Sequence, residues 1–209
     1  EPPENMEVDY QLLGPLPDGT LQQIMVVAAG KKLIESYMAV FKEAKLSLQA
    51  IDAKPASVGR AIVGANEKEG ILLLDITSTM STVSIYEHGS IWVTGFVNSG
   101  GNVIRDEDTG EVLPAAEQQS AIKRLVSSIA DEVDHVLKFY HNRSVGQGKV
   151  KEIRVSGGGS LIDGILDDLK KTVDLPVQIG KATITVPSFC DRRFFGALGS
   201  ALYVAYETD

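Results

Sequence analysis

Two stretches of this chain carry residue types that could handle a phosphate. The first is Asp75 followed by Thr77, Ser78 and Thr79, within the run GILLLDITSTMSTVSIYEHG from Gly70 to Gly89. Backbone N–H groups bunched in a tight turn form an anion-binding concavity, and Ser or Thr hydroxyls can add donors. Asp75 would hold a hydrated magnesium ion, because magnesium takes oxygen ligands and keeps most of its waters. The second stretch is Gly157-Gly158-Gly159-Ser160. Glycines let a ligand approach the backbone, and a helix that follows presents free N–H groups and a positive dipole end. Each stretch also has a plainer reading, as an ordinary hairpin turn and an ordinary loop.

The elements around them decide what they can reach. Ile71–Ile76 is apolar except for Asp75, which predicts a strand buried on both faces. Alternation resumes through Val83 and Ile85 to the His88-Gly89 turn, then into Ile91-Trp92-Val93. The expectation is a three-strand antiparallel meander with a hydroxyl-rich tip. The loop Asn98–Gly101 and the polar segment Arg105–Glu111 follow, and Pro114 is placed to start a helix. Ile122, Leu125, Val126, Ile129, Val133, Val136, Leu137 and Tyr140 keep helical spacing over five turns. Gly146 and Gly148 end the connection, and Lys151–Val155 reads as a short strand. The GGGS run would then open a helix with Leu161, Ile162, Ile165, Leu166 and Leu169 inward. Val177–Ile179 is a further strand, and Gly196–Tyr206, rich in Ala and Gly, a closing helix able to pack close to a sheet. Three antiparallel strands followed by helix–strand–helix–strand–helix is the order of a ribonuclease-H-like half-domain, an α/β fold. GGGS would sit at the carboxyl end of a parallel strand, where open α/β sheets bind ligands.

Ahead of this half-domain, Val8–Leu13 and Leu21–Ala28 read as strands on either side of a Pro15–Gly19 turn. Residues 31–45 read as a helix with Ile34, Tyr37, Met38 and Phe41 on one face. Leu46–Ile51 reads as a third strand, and Pro55 closes the unit. This strand–strand–helix–strand module, residues 1–55, is small for an independent core. Ala56–Val63 is a short helix leading through the Asn66-Glu67-Lys68 linker into residues 56–209.

The 209 residues are 44% hydrophobic and 23% charged, enough for one large domain or two small ones. No run approaches the roughly 18–20 apolar residues that cross a bilayer, and no signal peptide opens the sequence. A single cysteine, Cys190, excludes an internal disulfide framework, and the net charge of −8 argues against a general nucleic-acid binder. The expectation is a cytoplasmic protein with no direct membrane insertion.

Other motifs fail on inspection. There is no Walker loop, and Ile162 stands where a dinucleotide fingerprint needs its third glycine. His88, His135 and His141 lack metal-ligand spacing, and Asp106-x-Asp108-x-Gly110 lacks a calcium loop's third ligand. Asn142-Arg143-Ser144 is a glycosylation sequon without secretory context, and Asp163, Asp167 and Asp168 read as a solvated helix face.

The ordered motifs resemble a known superfamily. DITSTMSTVSIYEHG resembles the second phosphate motif of the actin-like ATPases, VSGGGSLIDGILDDL their adenosine motif, and GALGSALYVAYE their closing helix. The segment VDYQLLG…LQQIMVVAAGKKLIESYMAVFKEAKLSLQAIDAKPASVGRAI resembles the PilM family of type IV pilus assembly proteins, relatives of the division protein FtsA. Asn98-Ser99-Gly100-Gly101 falls where that family has paired glycines. The resemblance implies an actin-like fold, with residues 1–55 belonging to the first lobe and 56–209 forming the second lobe with a reduced insertion. It implies ATP and magnesium as cofactors. Asp75 would be the magnesium-linked acid through water, Thr77, Ser78 and Thr79 would form the phosphate loop, and Gly157, Gly158, Gly159 and Ser160 would contact the nucleotide. Thr77 departs from the family glycine. The first-lobe phosphate motif is also missing, so a truncated protein lacking one jaw of the cleft is expected.

The function so implied is a cytoplasmic assembly scaffold at the inner face of the membrane. It would bind ATP between two lobes and engage the cytoplasmic tail of a PilN-like inner-membrane protein, with at most slow ATP turnover. The alternatives are a sugar- or acetate-kinase-type phosphotransferase of the same superfamily, and a degenerate member without nucleotide. A kinase needs a general base and a substrate pocket, and the sequence offers neither.

Overall fold

The computed structural model describes residues 2–15, 19–64, 67–142, 149–188 and 190–203. The Pro15–Gly19 turn, the Asn66 linker, Gly146, Gly148, the sequon's Arg143 and Ser144, and the closing helix past Tyr203 therefore lie wholly or partly outside the described residues. The chain divides into two compact units, Glu1–Ala53 and Lys54–Asp209.

In the first unit, β1 (Met6–Pro15) and β2 (Gln22–Gly30) pair antiparallel, with a register shift between Leu12 and Gly14. Helix α1 (Lys31–Glu43) follows directly. Leu46–Ile51, expected as a third strand, forms none. An apolar run becomes a strand only where a sheet edge takes up its N–H and C=O groups, and the two-stranded sheet does not pair with it. Leu46 is 61% exposed and Ile51 48%. No described residue of this unit is buried, and the Tyr37 and Met38 face of α1 stays open.

The second unit opens with α2 (Lys54–Ile62). Pro55 lies in its first turn, where a missing N–H is harmless, rather than closing the preceding unit. The meander is present as β3 (Gly70–Ile76), β4 (Ser81–Glu87) and β5 (Ser90–Val97). The two-residue turn into β5 takes positive φ at His88 (50°) and Gly89 (78°), which matches the twist of the strands it joins. Helix α3 (Ala115–Asn142) begins after Pro114, and β6 (Val150–Ser156) pairs parallel to β3. Helix α4 (Ile165–Thr172), β7 (Val177–Ile179) and α5 (Phe195–Ala201) complete the unit. The five-stranded sheet runs β5-β4-β3-β6-β7, with β3 at its centre.

Alternation along β3 sorts its side chains between two cores. Leu72, Leu74 and Ile76 pack with Leu125, Val126, Ile129 and Val133 of α3 and with Ile165 and Leu169 of α4. Ile71 and Leu73 pack with Val58, Ala61 and Ile62 of α2 and with Phe195 of α5. Asp75 belongs by parity to the α2 side. Two expected helices differ from the sequence reading. From the second glycine of GGGS the chain makes a 3-10 turn, Gly158–Leu161, then breaks at Gly164 (φ 83°) before α4, so no α-helix starts near Ser160. Leu161 is consequently 44% exposed rather than inward. Helix α5 touches the sheet through Phe195 but makes its close backbone approach to α2, where a Cβ on Gly199 would collide with the Ser57 carbonyl.

Candidate functional site

Three loops meet beyond the carboxyl ends of β3 and β6. The first is the tip between β3 and β4. The Thr77 N–H and hydroxyl both donate to the Met80 carbonyl, at 2.9 and 2.7 Å, and the hydroxyl accepts from the Met80 N–H at 3.2 Å. Thr77 therefore closes the turn with its own side chain, and its φ is not positive. The departure from glycine is accommodated without strain, but its hydroxyl proton is committed within the turn. Ser78 and Thr79 project from the tip and are exposed. Their N–H groups donate to nothing among the described residues.

The second loop follows β5. The N–H groups of Gly101 and Asn102 donate to the carbonyls of Thr77 and Ser78, both at 2.7 Å. Contact this close needs a bare backbone: a Cβ on Gly100 would lie 2.5 Å from the Thr77 carbonyl and 2.7 Å from the Met80 nitrogen. The segment between Gly101 and Pro114 forms a small closed loop, bridged at Arg105 and Val112. Its turn is held by Asp106 Oδ1, which accepts from the N–H of Asp108 and the N–H and hydroxyl of Thr109. These hydrogen bonds, that from the Thr109 N–H foremost, hold the Asp106 carboxyl below its usual range.

The third loop is GGGS, and its four residues do different things. Gly157 has φ 85°, and a Cβ there would strike the Ile76 carbonyl. Gly159 packs against the Ile76 side chain, and a Cβ on Gly101 would stand 3.0 Å from the Gly159 Cα. The Ser160 hydroxyl is buried and donates back to the Gly157 carbonyl at 2.6 Å, so it is not presented to a ligand. Gly158 alone is exposed and unobstructed, with Arg193 Cγ as its nearest neighbour at 3.9 Å. The N–H groups of Gly158 and Gly159 donate to no described residue. Arg192, which sequence reading passed over, buttresses the loop: its carbonyl accepts from the Gly157 N–H at 3.0 Å and its guanidinium donates to the Ser160 carbonyl at 3.2 Å.

Asp75 lies behind these loops and is 7% exposed. Ser156 Oγ donates to its Oδ1 at 2.7 Å, across the β3–β6 register. Its Oδ2 lies 2.6 Å from Lys54 Nζ. That contact is an ion pair rather than a directed hydrogen bond, since Oδ2 is closed to solvent and lacks a well-aligned donor. Lys54 went unnoticed in the sequence; the available signal was a cation in the first turn of a helix, against the dipole.

On one side of the tip, Ser78, Thr79, Asn102, Arg105, Arg124 and Ser128 are among the residues around an open cavity of about 860 Å³. The wall is mixed in charge, since Asp106, Glu107 and Asp108 share it with the two arginines, so what it offers an anion is the unpaired N–H groups and hydroxyls of Ser78 and Thr79 at its tip-facing end. Magnesium is a different matter. Asp75 Oδ2, an oxygen a hydrated magnesium would need, already faces the Lys54 ammonium. No group of three or more His, Cys, Asp or Glu among the described residues could hold a metal. The groups around the Asp75 carboxylate are a hydroxyl and an ammonium, and the ammonium's charge opposes a dication at the same carboxylate.

No protein-family model matches the chain. It is 21% identical to the cell division protein FtsA of Neisseria meningitidis serogroup B, over 85% of this chain and 53% of the relative, so it spans about half of that protein's length. Among solved structures it is similar to the PilM–PilN type IV pilus biogenesis complex, with a TM-score of 0.70 at 22% identity over 96% of this chain and 67% of that one. It is also similar to MreB5 of Spiroplasma citri bound to AMPPNP, with a TM-score of 0.60 at 17% identity over 86% of this chain and 66% of that one. The sheet order, the two covered faces and the three converging loops agree with these likenesses: the chain has the fold of the actin-like ATPases.

Proposed function

We propose that this chain acts as a nucleotide-responsive scaffold in type IV pilus assembly or a related secretion or competence machine. The observation that carries this reading is the likeness to the PilM–PilN complex over 96% of the chain, across both units. The partner is the cytoplasmic tail of a PilN-like inner-membrane protein, and the first unit, with its exposed apolar side chains, is its docking surface. No helix among the described residues is long and apolar enough to cross a membrane, and in this reading the partner is what brings the chain to the inner face of the membrane. ATP is the ligand of the loop cluster. Support comes from the unpaired N–H groups at Ser78, Thr79 and Gly158 and from the likeness to an AMPPNP-bound MreB5. Nucleotide acts by favouring one arrangement over another, which requires only that the two arrangements bind it differently.

The test is fluorescence anisotropy of a labelled PilN-like tail peptide against the full chain, with and without ATP. Binding tighter than about 100 μM that shifts severalfold with ATP supports the proposal, whereas none at about 1 mM overturns it. Binding indifferent to ATP supports a second reading, a scaffold without nucleotide. That reading is favoured by the internal commitments of Asp75 and the Thr77 hydroxyl.

A further inference from the structure

Lys54 stands where local energetics argue against it. It is the first residue of α2, with no acid in that turn, so its charge opposes the positive end of the helix. The offsetting charge comes from another element, through Asp75 at the end of β3. The lysine side chain is half open to solvent while its partner is nearly closed off. Two neighbours locate the pair, one on the carboxylate and one on the lysine. A Cβ on Gly157 would lie 2.9 Å from Asp75 Oδ1, and one on Gly196 in α5 would lie 3.5 Å from Lys54 Cε. The pair therefore sits between Gly157, the first residue of the GGGS loop, and Gly196 of α5.

We propose that Lys54 is the built-in cation of the phosphate site: it holds the place on Asp75 that a hydrated magnesium would need, and its ammonium is the countercharge that phosphate oxygens meet. An ammonium has three donors, so those not facing Asp75 remain for a ligand. A dication brought to the same carboxylate would face the lysine's charge at close range. The ligand class is thus a nucleotide di- or triphosphate taken without metal. This inference rests on the nucleotide reading above.

Isothermal titration of the full chain with ATP and ADP, in excess EDTA and again in excess magnesium, tests it. Wild type is expected to bind within about twofold in the two buffers, and Lys54→Met to lose about tenfold or more in EDTA. Lys54→Arg keeps the charge and is expected to keep binding in EDTA, which separates loss of the cation from loss of fold. Wild-type binding that vanishes in EDTA overturns the inference while leaving the nucleotide reading standing. So does a Lys54→Met variant that binds in EDTA like wild type. Absence of heat from wild type in both buffers overturns the nucleotide reading, and the inference with it.

Discussion

Three adjacent glycines, Gly157 to Gly159, answer to three different constraints. A side chain at Gly157 would need a left-handed backbone and would meet the Ile76 carbonyl, while one at Gly159 would meet the Ile76 side chain. Gly157→Ala and Gly159→Val should each destabilise the fold by about 1–3 kcal/mol, the usual range for overpacking, read from urea denaturation. Gly158→Val should leave the denaturation midpoint close to wild type, since Arg193 Cγ at 3.9 Å is its nearest obstacle, and should abolish nucleotide binding in a titration. Normal binding by that variant would reduce the loop to a turn. Thr77 carries the opposite expectation. Its side chain makes both side-chain hydrogen bonds that close the tip, so Thr77→Gly should cost about 1–2 kcal/mol of stability. Nucleotide affinity should change little, because the hydroxyl proton already serves Met80.

Helix α3 and the end of β4 are joined by a buried hydrogen bond, from the Tyr140 hydroxyl to Glu87 Oε2 at 2.8 Å. Burial first, and the bond to Glu87 second, push the Tyr140 phenol well above its usual value near 10. The unfolded chain then releases this proton near pH 10 while the folded chain retains it. Stability from this group is therefore full below pH 10 and falls as pH rises above it. Tyr140→Phe should flatten that alkaline slope in denaturation curves, and should cost about 1–3 kcal/mol at neutral pH by leaving Glu87 without its donor. The eight apolar positions of α3 were legible in the sequence because burial along one helix repeats with the helix's own period. The start of α4 was not, because Gly164's positive φ and the 3-10 turn before it leave the apolar pattern unbroken. Lys54 was hidden for another reason: its partner is set by where the start of α2 meets the end of β3, and no local spacing encodes that meeting.

The two units are built on different terms. The second has a sheet covered on both faces by buried clusters, whereas the first has no buried described residue and leaves Val8, Tyr10, Leu12, Leu33 and Val40 more than half exposed. Residues 54–209 alone should therefore melt in one cooperative transition by circular dichroism, and residues 1–53 alone should show none. A cooperative melt of the smaller fragment would mean that its hairpin and helix need no other surface. In the proposed scaffold, a bound tail peptide should slow proteolysis within residues 6–43 and leave cleavage elsewhere unchanged.

The N–H groups of Gly101 and Asn102 are tied to the Thr77 and Ser78 carbonyls, not to their own loop. These two protons can trade with deuterium only when the contact between the loops opens. Their exchange thus clocks the lifetime of the tip's shape, residue by residue and without any label attached. A ligand that grips Ser78 and Thr79 should slow both amides by the same factor, while one bound elsewhere leaves their rates alone.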